Sequence, residues 1–314
     1  MQRPLSLCGR CAQGLVSRTE YIRMTDQDRF RAPLAYENPR FLNSADGRIL
    51  RIMAEYQEPL ARFRRERIQD TVVFFGSARF HSRSDADSAL EVLEKPYSAQ
   101  PAPPEEQERI RMARAGVAMA RYYEDARRLA SLLTEWTKTI SGKRHRFVVT
   151  TGGGPGIMEA ANRGAKEAGG KTVGLNIKLP FEQMPNPYIT PELNFEFHYF
   201  FMRKLWFAYL AKALIVFPGG FGTFDELFEI LTLAQTQKLA KQMTVLMYGS
   251  EYWNKVINFQ ALVDSAVIAA DDLKLFRMVD TPEEGFEILK ETLSRDHLGP
   301  RPKELTPEIA KTRR

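Results

Sequence analysis

Cysteine is nearly absent from this chain of 314 residues, and its two copies, Cys8 and Cys11, form a lone C-x-x-C near the start. A zinc site needs two more ligands at suitable spacing, and the nearest histidine is His81, so the pair reads as free thiols. No metal and no cofactor are expected. A body without cysteine fits a reducing compartment, and the expected location is the cytoplasm. No run of about 18 apolar residues occurs, so no membrane-spanning helix is expected. Residues 1–23 hold four arginines and one acid and lack the long apolar stretch expected of a secretory signal. They read as a transit-like segment or as sequence ahead of a start at Met24. Positive charge is also missing from the body. The net charge is +6, but residues 1–23 and 300–314 each carry an excess of three, so residues 24–299 are balanced. That balance argues against a nucleic-acid footprint. No internal repeat is present.

What is present is an alternation of apolar runs and helical periods. The apolar fraction of 44% is ordinary for a globular chain and sufficient for a sizeable core. Ser44 reads as the cap of a helix with Ile49, Ile52, Met53, Tyr56, Leu60 and Phe63 on its apolar face, bent or broken at Pro59. Thr71–Arg79 reads as a buried strand ending in a Gly-Ser turn. Residues 81–104 are polar and read as a flexible connection to a long helix over about 105–139. Further strands are expected over 146–151, 172–177, 213–217 and 243–249, with a short strand or turn over 194–201 and helices between them, and then a closing helical region. Such alternation implies a parallel, doubly wound α/β sheet. The expected organisation is a tail over 1–43, one nucleotide-binding domain over 44–299 with a helical N-terminal extension, and a basic tail over 300–314.

The chemistry concentrates at three strand-to-helix junctions: "FFGSAR", "TTGGGPGIM" and "FPGGFGTFDE". In an open parallel sheet these lie at the carboxyl ends of strands, where ligands bind. Glycine lets backbone amides approach a ligand, and the following helix offers its N-terminal amides to an anion. The ligand class is a phosphate ester, held by Gly152, Gly153, Gly154 and Gly156 and by Gly219, Gly220, Gly222 and Thr223; the alternative for the first set is a tight turn without a ligand. Gly152 and Gly154 followed by Ile157 fail the dinucleotide fingerprint, and "GAKEAGGKT" fails the P-loop register. Glu226 stands one helical turn from the second loop. It reads either as a catalytic carboxylate or as the last member of a Thr223–Glu226 capping box. Arg203 and Lys204 read as site residues or as solvated helix charges. Ser77 and Arg79 are candidates for base or phosphate contacts. Glu159 reads either as a substrate contact or as a first-turn charge favoured by the helix dipole.

Taken together, "TGGGPGIMEAANRGA", the Arg203–Lys204 pair and "PGGFGTFDE" resemble the LONELY GUY-type phosphoribohydrolases, long labelled "possible lysine decarboxylases". The resemblance covers roughly Val72 to Val279. It implies a Rossmann-like fold, a homodimer or dimer of dimers, and hydrolysis of the N-glycosidic bond of a nucleoside 5′-monophosphate such as AMP. Glu226 and Arg203 would be catalytic, and Lys204 a substrate contact. The decarboxylase label would need a lysine that holds pyridoxal phosphate, and no lysine here stands in such a context. The chain has Phe200-Phe201-Met202 before Arg203–Lys204, where cytokinin-activating members have M-H-x, and its long loops look more like the bacterial branch labelled AMP nucleosidases. Two other expectations remain: a non-catalytic carrier of a nucleotide or of a phosphorylated cofactor of the molybdenum-cofactor type, and a DNA-processing protein of related fold, which the balanced charge disfavours.

Overall fold

The computed structural model describes residues 32–98, 100–179, 184–238 and 242–299. Residues 1–31 and 300–314, with Cys8 and Cys11, lie outside them, whereas residues 32–43 of the expected N-terminal tail are described and include a short helix. The chain separates into two compact units, with the boundary at Arg51–Ile52. In the first unit, α1 (Pro39–Leu42) is capped by Asn38, whose side chain accepts from the Arg40 and Phe41 amides. Ser44 accepts from the Gly47 amide and donates to the Phe41 carbonyl. It therefore closes the turn before α2 (Arg48–Arg65), whose last fourteen residues belong to the second unit.

Pro59 does not break α2 in two: the helix runs without interruption across it. The apolar face expected for this helix is only partly realised. Ile52, Tyr56, Leu60 and Phe63 join a core, whereas Ile49 and Met53 are exposed.

The second unit is built on seven strands: β1 (Thr71–Phe75), β2 (Val148–Thr151), β3 (Thr172–Ile177), β4 (Asn194–Phe197), β5 (Ala211–Val216), β6 (Thr244–Tyr248) and β7 (Arg277–Val279). They form one parallel sheet in the order β4-β3-β2-β1-β5-β6-β7. The central strands are apolar along their whole length because helices cover both faces. Along β1, Val72 and Phe74 enter one core and Val73 and Phe75 the other, as the two-residue period of a strand demands.

The helices of this unit, after α2, are α3 (Arg83–Glu94), α4 (Pro104–Lys138), α5 (Ile157–Glu167), α6 (Phe200–Leu210), α7 (Phe221–Gln235), α8 (Ser250–Val256), α9 (Phe259–Asp264) and α10 (Pro282–His297). One core takes Phe63 of α2, Trp206 of α6 and Leu227 and Ile230 of α7; the other takes Leu129 and Leu133 of α4, Ile157 and Ala161 of α5 and Leu289 and Leu293 of α10.

Residues 81–104, expected as a flexible connection, contain helix α3. Ser82 caps it by accepting from the Asp85 amide, and its few apolar residues concealed it from a periodicity reading. Helices α4 and α5 pack so closely that a Cβ at Gly164 would overlap the Arg127 carbonyl.

The strand order reverses between β1 and β5. The connections after β1 lead to one side of the sheet and those after β5 to the other. The crevice at the carboxyl ends of these two neighbours is the topological switch point of a doubly wound sheet.

Candidate active site

All three junctions singled out in the sequence meet at that crevice. The Ser77 amide donates to the Pro218 carbonyl at 3.0 Å, and the Ile157 amide donates to the Ser77 carbonyl at 3.1 Å. The Phe217 amide donates to Phe75, extending the β1–β5 ladder into the loop. Ser77 thus joins the turn after β1 to both glycine loops through its backbone, while its hydroxyl accepts from the Arg79 amide. The Arg79 side chain is exposed at the rim.

The loop Gly152–Gly156 is shaped by close approach. Gly153 and Gly156 have φ of +76° and +72°, where a side chain is strained. A Cβ on Gly156 would overlap the Ser77 carbonyl, and one on Gly152 would overlap the Arg203 guanidinium. A buried polar network fixes the loop from behind. The Asn186 side-chain amide donates to the Gly153 and Gly154 carbonyls and to Asn162 Oδ1, and Thr151 Oγ1 donates to the same oxygen at 2.7 Å. Asn162 and Asn186 were not among the sequence candidates. Their signal was the polar residue inside the otherwise apolar α5 and the "PNP" turn, neither of which names a partner.

The second loop is the more open. A Cβ at Gly220 or Gly222 would meet nothing within 4 Å. Gly220 is the residue before α7, and the helix start has no side-chain cap. Among the described residues, the amides of Gly220, Phe221 and Gly222 find no acceptor, whereas those of Thr223 and Phe224 turn back to the Gly220 carbonyl. Uncommitted amides at a helix start form an anion site. Tyr252, on α8, holds the loop by donating its hydroxyl to the Gly219 carbonyl at 2.6 Å. Phe221, the first residue of α7, is 97% exposed.

Glu226 is not part of a capping box. Because α7 begins at Phe221, Thr223 lies inside its first turn rather than ahead of it, and Glu226 is well past the end. The residue is only 8% exposed. Burial raises the pKa of its carboxyl to about 7, against the pull of Lys204 and Arg203 and with the support of Glu229 and Asp225. Arg203 lies between the first glycine loop and this carboxylate. Its Nε donates to the Leu175 carbonyl at 2.7 Å, its guanidinium stands over the Phe207 ring, and burial lowers its pKa while Glu226 raises it.

Lys204 points to the acids instead of the loops. Its ammonium is 2.7 Å from Asp225, 2.7 Å from Glu229 and 3.8 Å from Glu226. Burial works against the charged ammonium, but the hydrogen bonds it donates to Asp225 and Glu229, with the nearby Glu226 charge, outweigh it and raise the pKa.

Glu159 is further from this chemistry. Its carboxylate accepts from Tyr123 Oη at 2.9 Å, a contact between α5 and α4. Among the described residues no cluster of three acidic, histidine or cysteine side chains is arranged to hold a metal ion, and no helix is long and apolar enough to cross a membrane.

Residues 158–289 match the sequence model of the family described as "Possible lysine decarboxylase". That stretch contains Arg203, Lys204 and the whole of the second glycine loop. A cytokinin riboside 5′-monophosphate phosphoribohydrolase of Rhodococcoides fascians is 32% identical over 106 residues, which are 33% of this chain and 52% of the relative. The chain therefore spans about half the length of that curated relative. Among solved structures, a molybdenum cofactor binding protein of Rippkaea orientalis superposes with a TM-score of 0.39 at 20% identity, over 55% of this chain and 88% of its own. The molybdenum cofactor carrier protein of Chlamydomonas reinhardtii does so with a TM-score of 0.38 at 18% identity, over 72% and 99%. The glycine loops, the Arg203–Lys204 pair and Glu226 assemble at one crevice, and the family match over residues 158–289 and the phosphoribohydrolase relative both support the resemblance of these motifs to the LONELY GUY-type family.

Proposed function

We propose that this protein hydrolyses the N-glycosidic bond of a nucleoside 5′-monophosphate, AMP or an N6-modified AMP, to free base and ribose 5-phosphate. The observation that carries the reading is Glu226: a buried carboxylate one helical turn beyond a loop of uncommitted amides, with Arg203 beside it. In this reading the 5′-phosphate sits on the amides of Gly220, Phe221 and Gly222. The C1′–N9 bond breaks with its electron pair passing to the base, and C1′ becomes an oxocarbenium-like cation. The Glu226 carboxylate stabilises that cation and takes the proton of the attacking water; the proton then passes to the departing base to give the neutral product and the free carboxylate. The guanidinium of Arg203, buried and aligned by Leu175, supplies a fixed fork for phosphate or for the departing base. Lys204 holds the α7 acids, so that Glu226 is presented by a helix start fastened to α6.

A buried carboxylate serves no purpose in a pure carrier of nucleotides, which is why the hydrolase is favoured. The likeness to the phosphoribohydrolase relative supports the same class. The test is incubation of the full chain with a panel of nucleoside monophosphates and the matching nucleosides, reading ribose 5-phosphate and free base. Ribose 5-phosphate from AMP and no turnover of adenosine is the expected outcome. Tight nucleotide binding without any bond cleavage would make the carrier reading the correct one. The assembly we propose is a homodimer or dimer of dimers, since α6 leaves Phe200, Phe201, Leu205 and Tyr209 exposed on one chain.

A further inference from the structure

Strand β2 has a second feature at its other end. Its C-terminal end carries the first glycine loop; beside its N-terminal end lies a cavity of about 520 Å³, bounded by the end of α4, the connection into β2 and the turn between α5 and β3. Its size suits a small-molecule ligand. Lys138, Lys143, Arg144, His145, Arg146 and Lys171 line it, and no aspartate or glutamate does.

These cations are not equally committed. Arg146 is paired with the buried Asp70 at 2.8 Å, Lys171 with Glu66 at 2.9 Å, and Lys138 donates to the Ala168 carbonyl at 2.9 Å. Among the described residues, no carboxylate lies within ion-pair distance of Lys143 or Arg144. The two free charges thus stand above three that are held in place. His145 reports the same positive field. Burial lowers its pKa, Lys171 and Arg67 lower it further, and only Glu66 opposes them.

The floor of the cavity is rigid and strained. Phe147 has φ of +53°, a left-handed conformation that is an outlier for a bulky residue. Three contacts fix it there. Its amide donates to Asp70 at 2.6 Å, its ring stacks on Trp136 with centroids 5.7 Å apart and planes at 4°, and the Arg146 guanidinium stands over the ring at 4.7 Å. Strain held by several contacts at once is a mark of ligand sites. The ends of α4 and α5 also meet here, and neutralising their carbonyls needs some positive charge. Lys138 on Ala168 already meets that need at α5, and Lys143 and Arg144 are in excess of it.

We propose that this cavity is a second anion site, separate from the glycine loops, for a small ligand with clustered phosphates such as the di- or triphosphate moiety of a nucleotide. Lys143 and Arg144 carry the unpaired charge, Lys138, Arg146 and Lys171 add donors already shared with Ala168, Asp70 and Glu66, and donors spread around a cavity of about 520 Å³ suit a ligand with more than one phosphate. Planar guanidinium groups match phosphate geometry. The connection Gly142–His145 is exposed, so the ligand enters without a rearrangement of the sheet.

The test titrates the full chain calorimetrically with inorganic tripolyphosphate at constant ionic strength, alongside the variant Lys143→Ala/Arg144→Ala. Both side chains are exposed, so the variant folds. Expected is saturable binding to the wild type that weakens at least tenfold in the variant, while ribose 5-phosphate and AMP bind both proteins alike. Absence of saturable binding at millimolar tripolyphosphate would overturn the proposal. So would equal binding by the variant, which would assign the anion to the glycine loops. A single-stranded oligonucleotide that binds more tightly than tripolyphosphate at the same ionic strength would overturn it in favour of a nucleic-acid surface.

Discussion

Replacing Glu226 by glutamine separates two quantities that usually fall together. In the folded chain burial raises this carboxyl from 4.5 to about 7. A group whose folded pKa is raised favours the folded state fully below its unfolded pKa, and that contribution is lost as pH rises through about 7. The window is therefore pH 4.5 to 7, with stability falling toward the alkaline side. A difference of about 2.5 pH units at ~1.4 kcal/mol each corresponds to a penalty of roughly 3 kcal/mol at pH 8. Glutamine keeps the volume and removes the charge. Lys204 retains Asp225 and Glu229, but buried Arg203 loses its anionic neighbour, so the gain is smaller than the ceiling. Glu226→Gln should therefore be about 1–3 kcal/mol more stable than the wild type at pH 8, a rise of roughly 2–10 °C in Tm. The difference should vanish near pH 4.5. Turnover of AMP should fall by about two to four orders of magnitude, because the charge that meets the ribosyl cation is gone. The wild type should lose activity tenfold per pH unit below about 7, and the variant should not show that limb. The measurements are thermal unfolding from pH 4.5 to 8.5 and kcat/KM over the same range. A variant less stable than the wild type at pH 8, or one with near-normal turnover, would refute the reasoning.

Asn186→Ala should cost about 1–3 kcal/mol, because it removes the buried donor to the Gly154 carbonyl and one of the two donors to the Gly153 carbonyl and to Asn162 Oδ1, and denaturant unfolding would measure it. A loss of less than about 0.5 kcal/mol would show that water replaces the amide. Asp70→Ala strands the Arg146 guanidinium and the Phe147 amide, for an expected loss of about 3–5 kcal/mol in the same assay. Gly152→Ala brings a methyl group onto the Arg203 guanidinium and should lower kcat/KM for AMP at least tenfold; unchanged kinetics would place Arg203 outside the reaction. Light scattering at micromolar concentration should give a dimer or tetramer, and a monomer would leave the exposed face of α6 without an explanation.

The alternation of apolar runs with helical periods was enough to determine the class of this fold, because strands covered on both faces must be apolar throughout and parallel neighbours require crossover helices. The glycine junctions were equally legible, since only glycine tolerates φ near +75° and close backbone approach, as at Gly153 and Gly156. Helix α3 escaped because its apolar face is sparse, and α2 continues across Pro59 because local propensity yields to the packing of Tyr56, Leu60 and Phe63. The roles of the charged residues belong to tertiary structure. A T-x-x-E string looks the same whether its threonine precedes the helix or lies inside it, and only the start of α7 at Phe221 removed Glu226 from a cap. Arg203 and Lys204 are adjacent in the chain yet diverge, one to the glycine loop and Leu175, the other to three acids on α7. Burial, which no linear pattern encodes, is what moves the Glu226 carboxyl to about 7.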